Sequence, residues 1–146
     1  MITSILKQIL TDSGCTHVMY ESDKIANLFT DEAMQYDIIG LIIQPNDVIL
    51  EVKANAIAEH FKYITVEIMQ QVRLEDTADN NEVKFQQLLD ICKQIIVRLI
   101  ADAEFKTLMP VDVAKIPENK YDANVIGWSI PLDLYWLKNE NRIPCI

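Results

Sequence analysis

The sequence predicts an α+β fold: a two-layer sandwich, with a mainly antiparallel β-sheet packed against two helices. Three observations carry this expectation. From Ile126 to Trp136 every second residue is large and apolar: Ile126, Trp128, Ile130, Leu132, Leu134 and Trp136. The alternate set, Val125, Gly127, Ser129, Pro131, Asp133 and Tyr135, is mostly small or polar, so the period of two marks a half-buried strand. Phe61 to Leu74 repeats that alternation with Ile64, Val66 and Ile68, then Val72 and Leu74 in phase. Residues 81–105 instead repeat at steps of three and four, through Phe85, Leu88, Cys92, Ile95, Leu99 and Ala103, with Leu89, Ile96 and Ile100 thickening the stripe.

The remaining elements follow in chain order. Ile2, Ile5, Leu6, Ile9 and Leu10 make one stripe of a helix over 2–13, and Gly14 supplies its stop. Cys15 to Glu21 reads as a short strand, and Ser22-Asp23 as the cap of a brief helical turn through Phe29. Asp37 to Gln44 is a short apolar run closed by Pro45-Asn46-Asp47, a turn signature, with a second strand from Val48 to about Ala54. Residues 54–60 fit either a bulged strand or a helical turn. In 62–72 a helix stays open beside the strand, because Ile64, Ile68 and Val72 lie four apart. Asp79-x-x-Glu82 has the form of a capping box for the long helix. Thr107 to Ile116 is a strand candidate of mixed pattern with prolines at Pro110 and Pro117, and the chain closes in a final β-hairpin. Pro131 cannot donate a ladder hydrogen bond, which argues for a sheet edge or a bulge at that point.

The totals bound the function. A chain of 146 residues, half of them hydrophobic, is one domain of ordinary size with a real core. Its 22 acids against 13 bases give a net charge of −9, which offers no general attraction to nucleic acid or anionic lipid. Such a surface keeps a protein soluble, and it also suits the wall of a passage for DNA. Cys15, Cys92 and Cys145 form no paired or metal-ligand spacing, and free thiols fit a reducing cytoplasm. No signal peptide and no stretch of the roughly 20 apolar residues needed to span a bilayer is legible.

Reactive groupings are few. His17 and His60 have no Ser, Cys or Asp at a catalytic spacing, and Glu59-His60 lacks the rest of a zinc-binding HExxH. Three glycines leave no room for a phosphate loop. Glu75, Asp76, Asp79 and Glu82 lack the spacing and the glycine of an EF-hand, so a solvated loop with a helix cap is expected. No enzyme activity, cofactor or metal is expected. Trp128 and Trp136 share parity with four aliphatic residues and are expected in the core.

One further pattern combines these segments. An N-terminal helix leads to a Tyr36-Asp37-Ile38-Ile39 strand entry, and Phe61–Leu74 runs through Leu74-Glu75-Asp76-Thr77 into a long helix. A closing hairpin then carries Lys120-Tyr121-Asp122-Ala123-Asn124-Val125-Ile126-Gly127-Trp128, with Cys145 near the end. This order resembles the tail terminator, or tail completion, neck proteins of tailed bacteriophages, in particular versions from phages of Bacteroidetes. The likeness covers about residues 30–146, and Asp122-Ala123-Asn124-Val125-x-Gly127-Trp128 is its most particular piece. It implies a structural virion protein, made in the bacterial cytoplasm. It also implies a homo-oligomeric ring, usually a hexamer, that joins tail tube to connector at the head–tail junction while double-stranded DNA passes through. Family function of this kind lies in loops and edges. The candidate contacts are Glu75, Asp76 and Asp79 in the acidic loop, Glu118, Lys120, Tyr121 and Asp122 at the hairpin tip, Tyr135 on the outer strand face, and Arg142, Ile143 and Ile146 in the tail. The competing reading is a cytosolic interaction or regulatory module forming a homodimer, and the third is a small enzyme using Glu59, His60 or the acidic loop.

Overall fold

The computed structural model describes residues 2–20, 38–43, 48–53, 56–72, 78–102, 105–107, 111–117 and 125–136. The expectation for Ser22–Phe29 and the turn at Pro45–Asp47 fall outside these residues. Two helices, α1 (Ile2–Asp12) and α2 (Ala78–Ala101), accompany strands β1 (His17–Tyr20), β2 (Ile38–Ile43), β3 (Ile49–Lys53), β4 (Ala56–Gln71), β5 (Phe105–Thr107), β6 (Ala114–Lys115) and β7 (Val125–Trp136). The strands join in one sheet of order β1-β2-β4-β7-β5, with β3 also on β4 and β6 also on β7. Only β1 and β2 run parallel; every other pairing is antiparallel. The fold is therefore an α+β sandwich with a mainly antiparallel sheet.

Helix α1 stops where glycine permits it. Gly14 has a positive φ of 119°, and the Cys15 N–H reaches the Leu10 carbonyl at 3.1 Å while the Gly14 N–H reaches Thr11 at 3.2 Å. These two bonds satisfy carbonyls that the last turn would otherwise leave open. The chain then enters β1 through Thr16, whose hydroxyl accepts from the Ile38 N–H at 2.9 Å and fixes β1 against β2.

Strands β4 and β7 form the spine. Register runs from Gln71 opposite Val125 to Glu59 opposite Trp136, with a shift between Phe61 and Ile64. That shift explains a break in the sequence pattern. Phe61 is out of phase with Ile64, Val66 and Ile68, yet the irregularity turns it to the same buried side. Residues 56–60 belong to β4, so the helical options there and over 62–72 are both excluded; cross-strand partners on two sides favour an extended chain. Pro131 lies within β7 opposite Thr65, not at the border of the whole sheet. On its other side β6 covers Ser129 and Trp128 and β5 covers Leu134 to Trp136, so the proline marks the gap between them. The single strand expected over Thr107–Ile116 is these two short pieces, with 111–113 outside any strand.

The helices cover one face. Ile64, Val66, Ile68, Ile126, Ile130, Leu132 and Leu134 meet Leu6 and Leu10 of α1 and Leu88, Cys92, Ile95 and Leu99 of α2. Each large side chain so buried contributes about 1.5–3 kcal/mol before chain entropy is subtracted. Helix α2 starts earlier and ends earlier than its stripe suggests, so Asp79 lies in its first turn rather than at the cap, where its charge still favours the helix N-terminus. Ile100, expected to thicken the buried stripe, is turned outward and exposed. Trp128 and Trp136 are half-buried against the core, and the Trp128 indole donates to the Phe85 carbonyl at 2.8 Å. Lys115 sits 4.2 Å from the Phe85 ring centroid, so β6, β7 and α2 are fastened at one point.

A second, smaller cluster occupies the opposite face: Ile39, Leu41, Met69, Ile116 and Val125. The strand face expected to be the less apolar side of β4 is thus also closed over Met69 and Glu67. This is why β2 reads as a continuous apolar run, since a strand covered on both faces has no solvent parity.

Candidate functional site

β3, the first part of β4 and the last residues of β7 pair side by side and form a three-stranded arm of the sheet. Register places Ile49 opposite His60, Glu51 opposite Ala58, and His60 opposite Tyr135. Cross-strand partners share a face, so Glu51, His60, Asp133 and Tyr135 gather on the side of the arm away from the helices. His60 is buried there. Its Nε2 contacts Asp133 Oδ1, its Nδ1 lies 3.9 Å from Glu51 Oε1, and its ring stacks on Tyr135 at 4.1 Å between centroids and 11° between planes. The Tyr135 hydroxyl donates to Glu51 Oε1 at 3.1 Å. Loss of water around Tyr135, then that hydrogen bond, then the charges of Glu51 and Asp133 push its phenol above its ordinary value.

The arrangement is a clamp across three strands. The two carboxylates address opposite ring nitrogens and do not converge on one point. Among the described residues no group of three or more His, Cys, Asp or Glu side chains is disposed to hold a metal ion. An Asp–His pair is the orienting half of a nucleophilic triad, but the position beside Nδ1 that a nucleophile would take is held by Glu51. What the clamp does is hold β3 firmly against β4 and β7.

The other faces of β3 carry the surface feature. Leu50 is 62% exposed and Val52 is 68% exposed, with Val48 and Ile49 also out in solvent. Leu50 opposes Glu59 and Val52 opposes Ile57, so these side chains form one apolar strip bordered by an acid. On α2, Val83 is exposed near the start, and Val97 and Ile100 form a separate exposed ridge near the end.

Of the contacts expected from the sequence, two fall among the described residues. Asp79 is exposed in the first turn of α2, and Tyr135 is engaged in the clamp. Glu75, Asp76, Glu118, Lys120, Tyr121, Asp122, Arg142, Ile143 and Ile146 lie outside them. The clamp itself was not foreseen, because its members are separated by 73 and 84 residues. The one available signal was the shared parity of Asp133 and Tyr135 in the last strand. His17 lies exposed on β1, where its partner Ile39 of β2 stands opposite Met69, far along β4 from His60. No helix among the described residues is long and apolar enough to cross a membrane. No family model matches the chain, and no curated protein matches it.

Proposed function

We propose that this chain is a structural subunit that acts by packing against copies of itself, a ring-forming neck protein of the tail terminator kind at the head–tail junction of a tailed phage. The observation that carries the reading is β3. It is a strand with one described neighbour, it presents Leu50 and Val52 to solvent, and its Glu51 is tied to His60 and Tyr135 by part-buried polar contacts behind it. An exposed apolar strand at a sheet border is costly in an isolated molecule and useful in an assembly. Clamping it in place removes ordering entropy that a partner would otherwise have to overcome. The net charge of −9 favours a lumen through which DNA slides without adhering. The resemblance of element order to tail terminator proteins supplies the place in the virion.

Negative-stain electron microscopy of the purified chain, alone and with phage tail tubes, tests this. Closed rings wide enough for duplex DNA, or rings seated on tube ends, are the expected result. A compact dimer indifferent to tail tubes would favour the interaction-module reading and end the ring proposal.

A further inference from the structure

The chain carries two exposed apolar strips of different construction. One is the β3 strip, Leu50 and Val52 beside Ile57, with Glu59 on the same face. The other is the α2 ridge, where Lys93, Val97 and Ile100 follow at steps of four and three and so share a side of the helix. Val97 is 59% exposed and Ile100 is 54% exposed. The strips match in chemistry and differ in charge: the acid Glu59 borders the first and the cation Lys93 borders the second. Lys93 lies 3.8 Å from Asp90 in an exposed pair, which is worth little and is readily exchanged for another acid.

We infer that the β3 strip of one subunit docks on the α2 ridge of a second copy, with Glu59 facing Lys93 of that copy. Unlike surfaces that complement each other generate head-to-tail contacts, and head-to-tail contacts close into rings when the rotation permits. Pairing of each strip with itself would place Glu59 against Glu59, or Lys93 against Lys93, at a repulsive cost. The inference rests on the assembly reading above and adds which two surfaces meet.

Sedimentation velocity on the full chain tests it with Val52→Glu, Val97→Glu and their equimolar mixture. Wild type is expected to form oligomers and each variant to remain a monomer. The mixture should form a dimer and stop there, because one intact strip remains on each partner. Reversing charge supplies a check that spares the apolar surface: Glu59→Lys should weaken association several-fold, and Glu59→Lys combined with Lys93→Glu should restore it. Oligomers of wild-type size from either glutamate variant would overturn the contact while leaving the assembly reading intact. A mixture that stays monomeric would show that the two strips do not meet. A wild type that is monomeric at every concentration, with tail tubes present, would overturn both.

Discussion

Gly127 stands opposite Met69 in the β4–β7 ladder, where a methyl group would run into the Ile68 carbonyl oxygen and come within 2.8 Å of the Met69 Cα. Both obstacles are backbone in the most constrained pair of strands, so neither can yield cheaply. Gly40 is different: a Cβ there meets the Leu10 Cδ2 at 2.6 Å and the Cys15 Sγ at 3.1 Å, and a leucine tip can rotate. Gly127→Ala is therefore expected to lower unfolding stability by about 3 kcal/mol, at the top of the overpacking range, and Gly40→Ala by about 1 kcal/mol. Urea denaturation of both variants checks the order, and equal losses would contradict it. In the sequence Gly127 was legible only as one of the small residues on a strand face, since close approach of a second backbone leaves no mark on composition. The buried thiols give a second residue-scale expectation. Burial pushes Cys15 up to about 12, and burial followed by the neighbouring Cys15 pushes Cys92 up to about 12. A folded value raised above the unfolded one makes a contribution that is complete below the unfolded pKa of about 9 and is lost as pH rises toward 12. Stability should thus fall by about 1.4 kcal/mol per pH unit for each thiol across that window. Replacing Cys92 with Ala should remove one of the two thiol contributions and so flatten the slope, as read from urea midpoints between pH 9 and 11; an unchanged slope would assign the alkaline loss elsewhere.

Elements were legible where burial imposed a single period. The stripe of α1, the alternation of β7 and the apolar run of β2 each survive in the structure, because one side chain spacing matched one covered face or two. β4 was legible only in its second half. The shift between Phe61 and Ile64 changes parity in mid-strand, so no single period describes it and residues 56–60 read as ambiguous. The same shift is why the clamp on His60 was invisible: a residue whose strand phase is unknown cannot be placed on a face beside Asp133 and Tyr135. The clamp also sets the behaviour of β3 as an element, since Glu51 is its polar anchor to β4 and β7. His60→Ala removes the central ring and leaves Asp133 without that partner. The expected cost is about 1–3 kcal/mol, that of stranding a partly buried polar group. Hydrogen exchange should show the loss unevenly, with amides of β3 and the first half of β4 losing protection while the middle of α2 keeps its own. Uniform loss across all elements would mean that the clamp supports the whole core and does not specifically fasten the arm.

At the scale of the molecule, the long-range field and the short-range surface act in opposite directions on self-association. Each chain brings a net charge of −9, so two approaching copies repel over the distance that ionic strength sets, about 10 Å at 0.1 M and about 30 Å at 0.01 M. The attraction proposed between the β3 strip and the α2 ridge is mostly apolar, with one acid facing one cation, and apolar contact is insensitive to salt at these concentrations. Screening should therefore remove more repulsion than attraction. Raising salt from about 10 mM to about 200 mM is expected to strengthen assembly, opposite to the behaviour of an interface held by ion pairs. Acidification toward the sequence isoelectric point near 4.6 should act in the same direction by discharging the surface. Sedimentation velocity across a salt series decides the matter. Oligomers that grow with salt agree with apolar strips opposed by a common negative field, whereas oligomers that dissociate with salt would locate the adhesion in charge pairs and remove β3 as its source.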